Sequence, residues 1–189
     1  MIKIAIVGSI GSGKTYISKL FGYPVFNADE AVSKIYLKNK KVLFKLKKKL
    51  PNFFLKFPIK KDFLIDAIVK DKNNIKKISA IVHPEVRKKL NIFLKRNKKK
   101  KAVILDIPLY LENKMNKKKD IIIFIQSNTE DSLKRIKKRK NFNQLVLKRL
   151  KNLQLPLSIK RKKSHFIIKN NFTNKSVKMS IKKILKEIL

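Results

Sequence analysis

Residues 8–15 read "GSIGSGKT", directly after the apolar run "IKIAIV" and directly before "YISKLFG". The spacing Gly8-x-x-x-x-Gly13-Lys14-Thr15 is the P-loop pattern, and it stands where that pattern belongs, between a short buried strand and a helix. Such a loop wraps backbone N–H groups around phosphate oxygens, which requires glycine where a Cβ would intrude. Lys14 is then placed to reach the β- and γ-phosphates, and the Thr15 hydroxyl to ligate Mg²⁺. The new helix, expected over residues 16–21 and closed by Gly22, points its positive end at the anion. A Gly-rich turn with no ligand is the alternative. The chain has only four glycines, however, and three of them, Gly8, Gly11 and Gly13, sit in this loop. Gly8, Ser9, Ile10, Gly11, Ser12, Gly13, Lys14, Thr15 and Tyr16 are therefore the candidate nucleoside triphosphate contacts.

Four further strand-like runs follow "KIAIV" (3–7): "PVFNA" (24–28), "KAVILDI" (101–107), "DIIIFI" (120–125) and "HFIIK" (165–169). Most are apolar throughout, as strands covered on both faces are. Their alternation with helical stretches predicts an α/β fold with a five-stranded parallel sheet flanked by helices. Ligands of such sheets bind beyond the carboxyl ends of the strands. Gly8, Asp29, Asp106 and Gln126 fall at or just past those ends.

Two stretches exceed a single crossover. Residues 30–97 read as a helical insertion, interrupted early by Pro51 and Pro58, with Pro84 expected in the first turn of its last helix. Residues 134–163 form a second, strongly basic insertion. The core is thus expected at 1–29, 98–133 and 164–189, all within one domain. Residues 173–189 are expected to form a helix burying Val177, Ile181, Ile184 and Leu185 on one face.

With 189 residues the chain can bury a full core. It has no cysteine, which rules out disulfides and thiolate metal sites. No apolar run approaches the roughly 20 residues of a membrane span, and no leader is expected before the first strand, so a cytoplasmic location is expected. The net charge of +38 raises a nucleic-acid reading. Arginine, the residue of bidentate base recognition, supplies only positions 87, 96, 135, 139, 149 and 161. Lysine rises together with isoleucine and asparagine along the whole chain, which reads as A/T-rich coding bias with lysine on solvated faces, selected polyanion binding being the alternative.

Five blocks in order carry a family resemblance: "GSIGSGKT", "VFNADEAV", "VHPEV" (82–86), "DIPLYLEN" (106–113) and "RLKNLQLPLSIKRKKSHFIIKNN" (149–171). Together they resemble the dephospho-CoA kinases, over essentially the whole chain. The resemblance implies a nucleoside-phosphate-kinase-like fold, with 30–97 as acceptor domain and 134–163 as lid. It implies transfer of the ATP γ-phosphate to the ribose 3′-hydroxyl of dephospho-CoA, with ATP and Mg²⁺ as cofactors. The expected partners are ATP and dephospho-CoA, with no specific nucleic acid, no membrane, and a monomer favoured. The chain departs from the family at Asn27, where an acid is usual; at Ser164-His165 in place of Ala-Asp; and at Phe172 in place of glycine; where a basic residue usually follows one turn after Asp29, Ser33 and Lys34 lie, with the register open by one.

Site roles follow from chemistry and resemblance together. Asp29 is the candidate acceptor of the hydroxyl proton, with a helix N-cap as its plain alternative. Asp106, ending the third strand, is with Thr15 a candidate Mg²⁺ ligand. Arg135 and Arg139, four apart on an expected helix, are candidate catalytic donors to the transferring phosphoryl group beside Lys14. His83, Pro108, Leu109 and Glu112 are candidate acceptor contacts, His83 being equally open to a structural hydrogen bond at the helix start and Glu112 to pairing with a lysine. Phenylalanines 53, 54, 57, 63 and 93 suit a core as well as a pantetheine groove and receive no role. Two other functions stay open: another P-loop kinase, for a nucleoside monophosphate or small alcohol, and an NTP-binding protein associated with nucleic acid.

Overall fold

The five apolar runs are strands β1 (Ile2–Gly8), β2 (Val25–Asn27), β3 (Ala102–Asp106), β4 (Ile121–Ser127) and β5 (Phe166–Asn170) in the computed structural model, which describes residues 1–140 and 142–189. They pair in parallel in the order β2-β3-β1-β4-β5. Ile4 of the central strand faces Ile104 on one side and Ile121 on the other. Because the chain turns outward in both directions from β1, a crevice opens at that strand's carboxyl end. The P-loop follows from Gly8 at that point.

Both sheet faces are covered. Ile4, Ile6, Ile104 and Ile123 share one face with Ile17 of α1 (Lys14–Leu20) and Val177, Ile181 and Ile184 of α9 (Asn174–Ile188). Leu185, expected on the same stripe, is only partly buried. Each fully buried isoleucine contributes roughly 1.5–3 kcal/mol relative to exposure. Gly22, at φ 73°, follows α1 as its sequence position predicts.

The chain divides into two compact units: Met1–Asn27, Leu94–Arg139 and Asn152–Leu189 form the first, and Ala28–Phe93 with Lys140–Lys151 the second. The first holds the sheet together with α1, α6 (Thr129–Lys137), α8 (Leu157–Lys162) and α9. The second holds α2 (Ala28–Lys38), α3 (Lys40–Lys49), α4 (Lys61–Lys70), most of α5 (Asn74–Arg96) and α7 (Gln144–Lys151). α3 starts where the Asn39 side chain accepts from the Val42 N–H at 3.2 Å, and stops before Pro51. Among the described residues no helix is long and apolar enough to cross a membrane.

Two local expectations are corrected. Pro84 does not begin a helix; it lies inside the 23-residue α5. Pro84 and Ala80 are both exposed, so the carbonyl that loses its i+4 donor faces water. Arg139 does not share a helical face with Arg135, because α6 ends at Lys137 with Lys138 as its cap. Ile136 is the last buried residue of α6, and the like charges beyond it give no reason to continue the helix.

Candidate active site

In the sheet unit the P-loop runs from Gly8 into α1. Gly13 stands at φ 87°, and a Cβ there would meet Asn170 Nδ2 at 2.5 Å. The same Nδ2 donates to the Ser12 carbonyl at 2.8 Å, so the residue ending β5 holds the loop's shape from outside. Gly11 is equally constrained, its Cβ position lying 2.7 Å from the Ser132 carbonyl. Among the described residues no side chain caps the α1 N-terminus. Lys14 Nζ donates to the carbonyls of Ser9 (2.6 Å) and Gly8 (3.3 Å), folding its charge back over the loop. Ser12 is fully buried, and its hydroxyl has no hydrogen-bond partner among the described residues. The Thr15 and Tyr16 side chains are exposed. This cradle, too tight for a Cβ and holding an unsatisfied buried hydroxyl, fits a phosphate chain.

Asp106 is 3% exposed at the end of β3 and accepts from Asn27 Nδ2 at 2.7 Å. The pair sits in register across β2 and β3. A hydroxyl at Thr15 and a carboxylate at Asp106 are hard oxygen donors of the kind Mg²⁺ takes, phosphate and water supplying its other ligands.

Pro108 and Leu109 are half-buried in the turns that follow β3. Tyr110 in the same turns donates its hydroxyl to Asp120 Oδ2 at 2.6 Å, and burial together with that bond raises its pKa. Glu112 belongs to the same segment, and of its two open roles the structure shows the lysine pairing. Its Oε1 lies 2.7 Å from Lys160 Nζ and accepts the Leu155 N–H at 3.0 Å. Lys160 is 1% exposed, and no other polar group among the described residues engages its ammonium.

Arg135, exposed on α6, lays its guanidinium over the Phe172 ring, 4.4 Å from the centroid. Phe172 adopts φ 62°, and its N–H donates to Asn170 Oδ1 at 2.9 Å. The left-handed backbone that suits a glycine is therefore kept with an aromatic in its place, at a cost of roughly 1–2 kcal/mol. Arg139, past the end of α6, is exposed. The departure at His165 is equally conservative in its hydrogen bonding: its Nδ1 accepts the Ile122 N–H at 3.0 Å, as a carboxylate can.

The helical unit carries a half-open cavity of about 780 Å³, and every residue lining it belongs to that unit. Its walls include Val32, Tyr36, Ile59, Ile68, Ile75 and Ile78, with Asp29, Ser33, Asp62 and Ser79 as polar groups and Lys60 and Lys61 as cations. This is the size and mixture of a small-molecule site. Asp29 lies in the first turn of α2, inside the helix, so it is not the N-cap that the plain alternative required. Asp29, Ser33, Tyr36 and Leu37 follow i, i+4, i+7, i+8 spacing, which presents all four to the cavity. Ser33, not Lys34, thus occupies the position facing the cavity. Burial raises the Tyr36 pKa and keeps its phenol protonated.

His83 lies half-buried on α5 and does not line the cavity; burial, aided by the Arg87 charge, lowers its pKa. None of the five phenylalanines lines it either, and Phe54 is core. Lys60, Lys61, Asp62 and Leu150 line the cavity although nothing in the sequence singled them out; the α2 spacing could have oriented a search for them.

A family model described as dephospho-CoA kinase matches residues 2–176. The chain is 31% identical over 187 residues to a dephospho-CoA kinase of Wolbachia sp. subsp. Brugia malayi (strain TRS), a match covering 96% of this chain and 95% of that protein. Among solved structures it is similar to TT1252 from Thermus thermophilus, with a TM-score of 0.79 and 27% identity over 100% of this chain and 98% of the other. It is also similar to the dephospho-CoA kinase from Campylobacter jejuni, with a TM-score of 0.64 and 26% identity over 98% and 96% of the two chains.

Proposed function

Since the chain belongs to the dephospho-CoA kinase family, we propose that it transfers the γ-phosphate of ATP to the ribose 3′-hydroxyl of dephospho-CoA, releasing coenzyme A and ADP. The observation that carries the acceptor half of this reading is the Asp29 carboxylate lining a largely apolar cavity of about 780 Å³. A ribose hydroxyl is a poor nucleophile at neutral pH, and a carboxylate that takes its proton as the O–P bond forms lowers the barrier. The cavity walls receive the rest of the acceptor. The loop of residues 8–16 holds the triphosphate through backbone N–H groups, and Lys14 turns from the Ser9 carbonyl to the β- and γ-oxygens. Thr15 and Asp106 would hold Mg²⁺, which would supply charge neutralisation to the phosphate chain. Arg139 supplies a planar charge to the phosphoryl group, while Arg135, stacked on Phe172, is held by the residue that follows Asn171.

The test is a coupled ADP-release assay with Mg-ATP and dephospho-CoA, followed by identification of the phosphate position in the product. ADP release that depends on dephospho-CoA and a 3′-phosphorylated product are expected. Turnover of a nucleoside monophosphate with dephospho-CoA untouched would overturn the reading.

A further inference from the structure

α7 has eight residues and fully buries only Leu147. A helix of that length has little stability of its own and depends on what it is fastened to. Its start is closed by Asn143, whose Oδ1 accepts the Val146 N–H at 3.0 Å. Near its other end, the Arg149 guanidinium donates to the carbonyl of Ile68. Ile68 is in the last turn of α4, where carbonyls have no intrahelical donor and the helix dipole is negative. The neighbouring Ala67 carbonyl already receives the Asp71 N–H and Asn74 Nδ2. A charge-assisted arginine donor at this spot therefore serves α4 as a C-terminal cap and α7 as an anchor.

The next residue gives that anchor a purpose. Leu150 follows Leu147 by three positions and so shares its face. It lines the same cavity as Ile68 and is 37% exposed. An apolar side chain held rigidly at a cavity wall with a third of its surface open is a ligand contact in waiting.

We propose that α7 is a wall of the acceptor cavity, with Arg149 as the residue that positions it and Leu150 as the contact to the dimethyl and methylene groups of the acceptor's pantetheine arm. The inference rests on the reading that this cavity receives dephospho-CoA. It gives residues 144–151 a role in acceptor selectivity that neither the P-loop nor Asp29 supplies.

The test measures KM for dephospho-CoA, KM for ATP and the competitive inhibition constant of pantetheine, the arm alone, in five proteins. These are the wild type, Leu150→Ala, Arg149→Met, Arg149→Lys and the Leu150→Ala/Arg149→Met double variant. Loss of one apolar contact in a pocket is worth about 10-fold or more. In Leu150→Ala and Arg149→Met the dephospho-CoA KM and the pantetheine constant are expected to rise together by about 10-fold, with the ATP KM unmoved. The double variant is expected to be no worse than the worse single, because both act through one contact. Arg149→Lys keeps the charge at the α4 carbonyl and is expected to recover part of the loss. Unchanged acceptor constants, additive losses, or a wild type that pantetheine does not inhibit would each overturn the wall assignment alone. A wild type that does not phosphorylate dephospho-CoA would overturn the functional reading as well.

Discussion

Asn27 donates its side-chain amide to Asp106 Oδ2 across the ends of two paired strands, at 2.7 Å. The position where the family resemblance leads one to expect an acid is thus occupied here by a neutral donor to the candidate metal ligand. Asn27→Asp would set two carboxylates at hydrogen-bond distance, and like charges that close do not both ionise at neutral pH. Losing the bond costs about 1–3 kcal/mol. The variant is expected to melt at a lower temperature at pH 7 without Mg²⁺, and to regain much of the loss in millimolar Mg²⁺. Melting curves with and without the cation decide it, and identical curves for variant and wild type would count against the pairing.

Asp29→Asn preserves volume but cannot accept the hydroxyl proton. Turnover is expected to fall on the order of 10²–10⁴-fold. Because Asp29 sits in the first turn of α2, the lost charge also removes a helix-dipole interaction of about 0.3–1 kcal/mol. A stability loss of that size with turnover retained would move the base elsewhere, to Asp106 or Glu112.

Glu112→Gln leaves an acceptor for the Leu155 N–H but strands the Lys160 ammonium in a site where the lysine is 1% exposed. Breaking a buried pair on one side costs about 3–5 kcal/mol. Adding Lys160→Met to Glu112→Gln removes the stranded charge, so the double variant is expected to be more stable than Glu112→Gln alone. Denaturant midpoints of the wild type, Glu112→Gln and the double variant test this, and a double variant no more stable than Glu112→Gln would contradict it.

His83 gives stability a pH dependence of definite sign. Its pKa in the fold lies below the ordinary 6.5 because burial, then the Arg87 charge, disfavours the imidazolium. Between the lowered folded value and 6.5 the unfolded chain binds more protons, so stability falls as pH drops through that window and is flat above it. His83→Gln is expected to flatten this part of the profile. Unfolding midpoints between pH 5 and 8, compared for wild type and variant, check it; parallel curves would remove His83 as the cause.

The sheet was legible because its strands are apolar runs bounded by loops, and each of the five is found within two residues of its expected ends. The P-loop was legible because its glycines answer to a local geometry. Pairings over long separations were not. Lys160 is buried while Lys162 and Lys163 are exposed, yet in a chain so rich in lysine nothing local separates them. Arg149 likewise gives no hint that it reaches the Ile68 carbonyl. Pro84 misled because the penalty for an interior proline depends on whether the orphaned carbonyl meets water, which sequence does not state. Phe172 looked like drift from a glycine, but the backbone angle that glycine serves is retained.

The central place of β1 sets a hazard during synthesis. Ile4 and Ile6 need Ile104 and Ile123 around them, and both of those partners leave the ribosome long afterwards. Until then an isoleucine-rich strand has no edge to pair with and can recruit the same strand of a neighbouring chain. The larger part of the helical unit, residues 28–93, is local in sequence and can begin to fold in that interval, before α7 is made to complete it. The lysines spread along the nascent segment meanwhile repel other copies. An abundance of positive charge that reads as coding bias in the finished protein therefore acts as a solubilising guard while the sheet waits for its middle strand's partners.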